Sequence, residues 1–294
     1  MILVLPVVLF AFASAAPAPD PVPDHPAVAA ARAAEAGGLV AGVSYRHLES
    51  GRAASWRGTE TFQMASVFKL PVAIAVLDAV EREKLRLDGE VEIREKDRME
   101  VGPIYDEWKP GMRVTIARMV DVMLVDSDNT AADVLVAQLG GPAAVEKALV
   151  AKGVTGVKVS LDERGLGAAM RMDLDAIERG AQNGTSPDAM TGLLVRLFRG
   201  ELLSKDSTDR ILDSMRRCAT SGRRFRAGLP KGAEVFDKTG TMRLSSNDVG
   251  ILTLRDGSHA VLAVFTRGGA GAEAREKAIA SIAKAAWEAG APAR

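Results

Sequence analysis

The stretch QMASVFKLPVAIAVL, residues 63–77, decides how the rest of the chain is interpreted. It places the hydroxyl of Ser66 three positions ahead of the amine of Lys69, and an apolar run follows both. Residues i and i+3 of a helix are neighbours on one face, so the amine can reach the hydroxyl. The stretch predicts a core-forming helix that begins with a Ser-Lys pair.

A serine nucleophile needs a nearby base, and here lysine is the available one. The three histidines are His25, His47 and His259, which fall in a proline-rich leader, a predicted strand and a predicted turn. This spread argues against a Ser-His-Asp triad. The S-x-x-K spacing alone is a weak signal, because an N-capping Ser beside a solvated Lys gives the same pattern.

Two further motifs strengthen the catalytic interpretation. Ser127-Asp128-Asn129 stands at the start of a predicted helix, and Lys238-Thr239-Gly240 stands on a predicted strand followed by a hairpin. Alone, the first is a good helix cap and the second a good strand end. In the order S-x-x-K, S-D-N, K-T-G they resemble the penicillin-recognising serine enzymes. The chain therefore resembles a class A β-lactamase or a close relative.

The resemblance implies a function for each motif residue. Ser66 would attack the carbonyl of a β-lactam, with Lys69, or Glu163 through a water, as its base. Ser127, held near Lys69 and Lys238, would pass a proton to the lactam nitrogen. Asn129 would orient the amide side chain of the substrate. Two neighbouring ammonium groups repel each other, so the pKa of Lys69 or Lys238 should be lowered.

The substrate carboxylate needs a fixed cation, and a guanidinium fork suits it. In TSGRRFRAGLPKG, residues 220–232, Arg224 resembles by its register the arginine that some class A members use for the substrate carboxylate, and the resemblance makes it the favoured anchor. A solvated basic turn is the alternative. The hydroxyls of Thr239 and Thr241, on either side of Gly240, would add hydrogen bonds to the carboxylate. The backbone N–H groups of Ser66 and Thr241 would form the oxyanion hole.

Residues 163–167, Glu-Arg-Gly-Leu-Gly, resemble the E-x-x-L-N loop of class A enzymes. The resemblance implies that Glu163 activates the water that releases the acyl-enzyme. A solvated turn is the alternative. Gly167 replaces the family's Asn, which helps to hold that water. The loop from Glu163 to Pro187 is longer than usual, and Leu161 and Asn183 stand where an acidic-basic pair is expected to brace its ends.

Composition favours a small-molecule partner. The chain has 294 residues, 47% of them hydrophobic, and equal numbers of basic and acidic residues, 38 each. It is long enough to bury a large core, and it carries no run of charge typical of a nucleic-acid or anionic-membrane surface. We expect a monomer that acts on a β-lactam and needs no metal or other cofactor.

Residues 1–15 predict a signal peptide. An eleven-residue apolar run, Ile2 to Phe12, precedes Ala13-Ser14-Ala15, which fits a cleavage site, and the run is too short to span a bilayer. Residues 16–24 predict a flexible, proline-rich leader. We expect export to the periplasm or the medium, without stable membrane insertion. The single cysteine, Cys218, allows no internal disulfide.

The pattern of apolar residues predicts the fold class. Helical spacing dominates residues 65–205, whereas strand-like runs lie before and after them. Short links between the last three strands indicate antiparallel pairing. Strands from both ends most economically share one sheet. We predict an α/β (α+β) fold in which a discontinuous domain, residues 25–64 and 206–294, has an antiparallel sheet flanked by helices and carries an inserted all-α domain.

Two alternative functions are compatible with the same fold or the same site. A D-alanyl-D-alanine peptidase, or another serine hydrolase of this fold, would leave Glu163 without a function. A non-hydrolysing sensor module would be acylated by a penicillin and keep the adduct. A zinc-dependent lactamase is disfavoured, because the sequence lacks the clustered His and Asp ligands that it needs.

Overall fold

The computed structural model describes residues 25–100, 102, 104–269 and 271–290. The expected signal peptide (1–15) and leader (16–24) lie outside these residues. The helices, in chain order, are α1 (Pro26–Glu35), α2 (Lys69–Glu81), α3 (Ile116–Val125), α4 (Asn129–Leu139), α5 (Pro142–Ala151), α6 (Glu163–Met172), α7 (Leu174–Glu178), α8 (Pro187–Phe198), α9 (Lys205–Arg216), α10 (Phe225–Gly228) and α11 (Ala272–Ala289). Short 3₁₀ turns are formed by Ala65–Phe68, Glu95–Asp97 and Tyr105–Glu107.

The strands are β1 (Leu39–His47), β2 (Ala53–Trp56), β3 (Phe62–Gln63), β4 (Glu90–Glu92), β5 (Arg113–Thr115), β6 (Gly184–Thr185), β7 (Val235–Thr241), β8 (Ser245–Thr253) and β9 (His259–Gly268). Five of them form one sheet in the order β2-β1-β9-β8-β7, and every pair in it is antiparallel. Strands from both ends of the chain therefore lie side by side, and the predicted fold class is confirmed.

The two faces of the sheet bury different sets of residues. Along β9, Leu262 and Val264 pack with α1 and α11, whereas Val261, Ala263 and Phe265 pack with the helical part of the chain. This alternation follows from the two-residue period of a strand, and a sheet covered on both faces has apolar residues in both sets.

Helix α2 forms the centre of the helical part. Every residue from Lys69 to Ala79 is buried, and helices α3, α4, α5 and α9 pack around it. A helix that is apolar on all sides is stable only when it is enclosed in this way. The enclosure fixes the beginning of α2, where Lys69 stands.

Several local features differ from expectation. The segment after Asp162, predicted as a loop, contains α6 and α7. The Asp162 side chain accepts a hydrogen bond from Gly165 N at 2.7 Å and caps α6.

His25, assigned to the leader, caps α1 by accepting a hydrogen bond from Ala27 N at 3.2 Å. Burial lowers the pKa of His25 to about 4. The pairs β3–β6 and β4–β5 are too short for a periodic signal.

The base of the segment that contains α6 and α7 is braced by an amide. Asn183 is fully buried, and its Oδ1 accepts hydrogen bonds from the backbone N–H groups of Ser160 and Leu161, each at 2.9 Å. Its Nδ2 donates to the Leu161 carbonyl, also at 2.9 Å. These bonds join the two ends at the positions where an ion pair was expected and not found in the sequence.

Strand β7 lies against the turn Ala65–Phe68, backbone to backbone. A Cβ built at Gly240 would stand 2.4 Å from the Met64 carbonyl oxygen, closer than any real contact. From the adjacent strand, the buried Asn247 donates its Nδ2 to the carbonyls of Gln63 (2.8 Å) and Met64 (3.1 Å). The sheet edge and the start of α2 are thus joined at close range.

Among the described residues, no single helix is long and apolar enough to cross a membrane, whereas α4 and α5, bent by 70° at their junction, together reach that length and composition.

We predict that Gly240→Ala destabilises the chain by about 1–3 kcal/mol, because the added methyl forces β7 away from the turn. Thermal unfolding followed by circular dichroism measures the change. Gly192→Ala is the matched control, since no described atom outside its own helix lies within 4 Å of the added methyl and α8 should gain slightly in stability. A midpoint for Gly240→Ala at or above that of the parent chain would contradict the close approach.

Candidate active site

Ser66 stands on the turn that leads into α2. Its neighbours Ala65, Val67 and Phe68 are buried, whereas Ser66 is half-buried. Ala65 has a positive φ of 47°, which is unusual for a residue with a side chain, and its N–H donates to Gln63 Oε1 at 3.1 Å. The turn therefore holds the serine hydroxyl at the junction of the sheet edge and the helical part.

Lys69 is fully buried, and its amine is the meeting point of the site. Its Nζ lies 3.1 Å from Ser66 Oγ, 2.6 Å from the Ser127 carbonyl oxygen and 3.4 Å from Ser127 Oγ. It also lies 2.6 Å from Asn129 Oδ1 and 2.8 Å from Glu163 Oε1. A buried charge needs partners of this kind, and here they come from three separate segments.

The three residues of the S-D-N motif contact different groups. Asp128 is buried and caps α4 by accepting from Ala131 N at 2.7 Å, and it also accepts from Trp108 Nε1 at 3.1 Å. Ser127, just before it, has a positive φ of 61°. The cap interpretation is thus correct for Asp128, while the residues on either side of it, Ser127 and Asn129, face Lys69.

Ser127 lies between two amines. Lys238 on β7 is fully buried, and its Nζ donates to Ser127 Oγ at 2.9 Å and to the Thr239 carbonyl at 2.9 Å. Burial lowers the pKa of Lys238 to about 8, and the nearby Lys69 ammonium acts in the same direction. The expected lowering of one lysine pKa is confirmed, with burial as its main cause.

The two threonines of the K-T-G strand differ in exposure, with Thr239 buried and Thr241 exposed at the strand end. The Thr239 hydroxyl is buried and shares a hydrogen bond with the Thr220 hydroxyl. Thr241 is exposed at the end of β7, and its hydroxyl accepts from Arg224 Nη2. The two threonines were expected to act on the same group, but only the Thr241 hydroxyl is on the exposed side.

Arg224 is not a solvated turn residue. It is 3% exposed, and its Nη1 donates to the carbonyls of Gly240 (3.0 Å) and Asn247 (2.8 Å). Its Nη2 lies 3.4 Å from Glu276 and contacts Thr241 Oγ1. The guanidinium therefore lies behind β7 and contacts the hydroxyl of Thr241 at the exposed end of the strand.

Glu163 is the first residue of α6 and its side chain is 12% exposed. Its carboxylate pairs with Lys69, and its backbone N–H donates to Asp133 Oδ1 at 2.6 Å. One turn further along, the nearest described atom to a Cβ built at Gly167, outside the backbone of α6, is Arg171 Nη1 at 3.9 Å. A side chain at position 167 therefore has room.

The structure brings six predicted residues together, Ser66, Lys69, Ser127, Asn129, Glu163 and Lys238. Three residues that support them, Trp108, Asp133 and Asn247, were not identified from the sequence, and Asn183 was located at the base of the loop without its bracing bonds. Their partners lie 20 or more residues away along the chain, so no local motif could indicate them.

Comparison with known proteins agrees with this geometry. The sequence model of the beta-lactamase enzyme family matches residues 27–289. The chain is 33% identical to beta-lactamase VEB-1 of Pseudomonas aeruginosa over 237 residues, 77% of each chain. It is 31% identical to beta-lactamase L2 of Stenotrophomonas maltophilia over 249 residues, 83% of this chain and 79% of the relative.

Solved structures show the same similarity. The crystal structure of a beta-lactamase from Chitinophaga pinensis superposes with a TM-score of 0.83 at 32% identity, covering 90% of this chain and 98% of that one. The match spans the sheet, the helical part and the cleft between them. The chain therefore belongs to the beta-lactamase enzyme family, within the penicillin-recognising serine hydrolases, and is a hydrolase that acts on β-lactams.

Proposed function

We propose that the chain opens the cyclic amide of β-lactams through an acyl-enzyme on Ser66, and that Glu163 activates the water that releases it. One observation carries the proposal. The Glu163 carboxylate lies 2.8 Å from Lys69 Nζ, which lies 3.1 Å from Ser66 Oγ. One amine thus joins a carboxylate base to the hydroxyl, an arrangement that suits both halves of an acyl transfer.

In the first half, Ser66 Oγ attacks the lactam carbonyl carbon and the C–N bond breaks. The hydroxyl proton passes through a water to Glu163, or to the Lys69 amine after its ammonium has given a proton to the Glu163 carboxylate. The N–H groups of Ser66 and Thr241 stabilise the developing oxyanion, a contribution of about 3–4 kcal/mol per donor in other acyl-transfer enzymes. Ser127, held by Lys238, gives its proton to the departing nitrogen and is reprotonated by an adjacent ammonium.

The substrate is held at both ends of the cleft. We propose that the amide of Asn129 binds the side chain of the lactam, while the exposed hydroxyl of Thr241 and the charge of Lys238 bind its carboxylate. Arg224 supports Thr241 from behind and adds positive potential. Thr239 acts through its backbone and through its bond to Thr220.

In the second half, Glu163 takes a proton from a water molecule, which attacks the ester carbonyl, and Ser66 Oγ leaves with a proton returned to it. This step separates a lactamase from its rivals. A sensor module lacks a base for the water and stays acylated, and a D-alanyl-D-alanine peptidase cleaves a peptide in place of a lactam.

We predict many turnovers of a chromogenic cephalosporin by the parent chain and an accumulated acyl-enzyme in Glu163→Ala. Loss of a general base should slow release by about 10²–10⁴-fold, so one equivalent of product appears in a burst and the adduct is visible by intact-protein mass. Glu288→Ala, an exposed residue of α11, is the control and should behave as the parent.

Each other outcome has a definite meaning. A single burst from the parent chain indicates the sensor module, and peptide cleavage without lactam turnover indicates the peptidase. Undiminished turnover by Glu163→Ala shows that another group activates the water.

We predict that Gly167→Asn speeds release of the acyl-enzyme several-fold, because an amide at this position can hold the water near Glu163. Gly167→Ala is the control, since it also replaces the glycine in α6 with a residue that has a side chain but adds no amide. Single-turnover rates of acyl-enzyme release, measured for both variants, test this prediction. Equal rates for Asn and Ala, or a slower Asn variant, would contradict the proposed function of the family's Asn here.

We also propose that the chain acts as an exported monomer, in the periplasm or the medium. The support for export is the apolar run and the small-residue site in residues 1–15. With a single cysteine, an exported form depends on packing rather than on an internal disulfide for its stability.

A further inference from the structure

Three carboxyl groups meet at the N-terminus of α6. Asp133, on α4, accepts hydrogen bonds from the backbone N–H groups of Glu163 at 2.6 Å and Arg164 at 3.1 Å. Asp162 accepts from Gly165 N at 2.7 Å. The first three N–H groups of a helix have no partner within it, so these two side chains satisfy all three. Asp133 thereby ties the proposed base to the helix that carries Asn129.

Asp133 is a partly buried carboxyl among charged groups of both signs. Asp133 lines a small cleft of about 150 Å³. Charged groups from the elements around it line the same cleft, namely Asp162 and Arg164 at the start of α6, and Arg94, Lys96 and Asp97 at the 3₁₀ turn Glu95–Asp97. The Glu163 carboxylate faces it from α6, and Lys69 of α2 pairs with that carboxylate. Burial, with Asp162 and Glu163 adding to it, raises the pKa of Asp133 to about 7.

We propose that Asp133 is a positioning residue whose ionised carboxylate holds Glu163 in place for release of the acyl-enzyme, and whose protonation loosens that hold. The inference rests on the proposed function of Glu163. A carboxylate offers only acceptors, and each Asp133 oxygen accepts one N–H bond. A proton converts one oxygen into a donor that faces another donor, so one of the two bonds is lost.

The loss of this hydrogen bond sets how the rate of acyl-enzyme release depends on pH. As the pH falls through about 7, Asp133 is protonated and release of the acyl-enzyme slows. Stability changes in the opposite direction. A raised pKa means that the folded chain binds this proton more tightly than the unfolded chain, so this group makes folding less favourable as the pH rises through about 7.

The test uses Asp133→Asn, because an amide has the shape and the single acceptor oxygen of a protonated carboxyl. Release rates of the acyl-enzyme are measured from about pH 5.5 to about pH 8.5. We expect the parent and the variant to converge at the acid end and to differ by about tenfold at the alkaline end. A ratio that does not change with pH indicates a purely structural contact and overturns the proposal. Asp173→Asn, which keeps an exposed cap on α7, should follow the parent at every pH.

A second variant leaves Asp133 in place. Asp162→Asn keeps the cap on Gly165 but removes a negative charge beside Asp133, so the acid midpoint of the release rate should move to lower pH. An unmoved midpoint overturns the proposal even where Asp133→Asn does not fold.

The outcome is separable from that of the proposed function. If Glu163→Ala turns over freely, the base is misassigned. If it stalls as an acyl-enzyme while the ratio for Asp133→Asn stays flat with pH, only the inference about Asp133 fails.

Discussion

The site depends on one buried nitrogen. Lys69 Nζ has five oxygen atoms within 3.4 Å, from Ser66, Ser127, Asn129 and Glu163. An amine removed from water destabilises the fold unless such partners surround it, and removing one partner of a buried pair typically costs about 3–5 kcal/mol. The turn before α2, the start of α4 and the start of α6 must therefore meet at this point. The same convergence that satisfies the charge gathers two hydroxyls and a carboxylate around one amine.

A second constraint keeps the sheet against this point. Gly240 lets β7 touch the backbone of Met64, and Asn247 bonds the same carbonyl from β8. Lys238 then reaches Ser127 across the cleft. Each of the two serines thus stands beside a lysine, Ser66 beside Lys69 and Ser127 beside Lys238. Packing of backbone on backbone, rather than long flexible side chains, fixes the width between them, as acyl transfer requires.

Local sequence patterns predicted the motif residues and the elements that hold them. S-x-x-K is an i,i+3 spacing, S-D-N begins a helix and K-T-G ends a strand, so each motif could be assigned to its element, and alternating apolar residues indicated the sheet. The contacts that complete the site are not local. Asp133 meets Glu163 across 30 residues, and Asn247 meets Met64 across 183. The burial of Arg224 behind β7 and the helical form of α6 also depend on tertiary packing, which a charged turn or a glycine-containing stretch does not reveal.

The most direct measurement is the pre-steady-state rate at which a β-lactam acylates Lys69→Met, whose side chain has similar length but no amine. Near-ultraviolet circular dichroism shows whether the variant keeps its packed core. We expect Lys69→Met to fold and to be acylated on Ser66 at least about 10²-fold more slowly than the parent. A folded variant acylated at the parent's rate would show that the nucleophile does not depend on this amine, and would contradict the account.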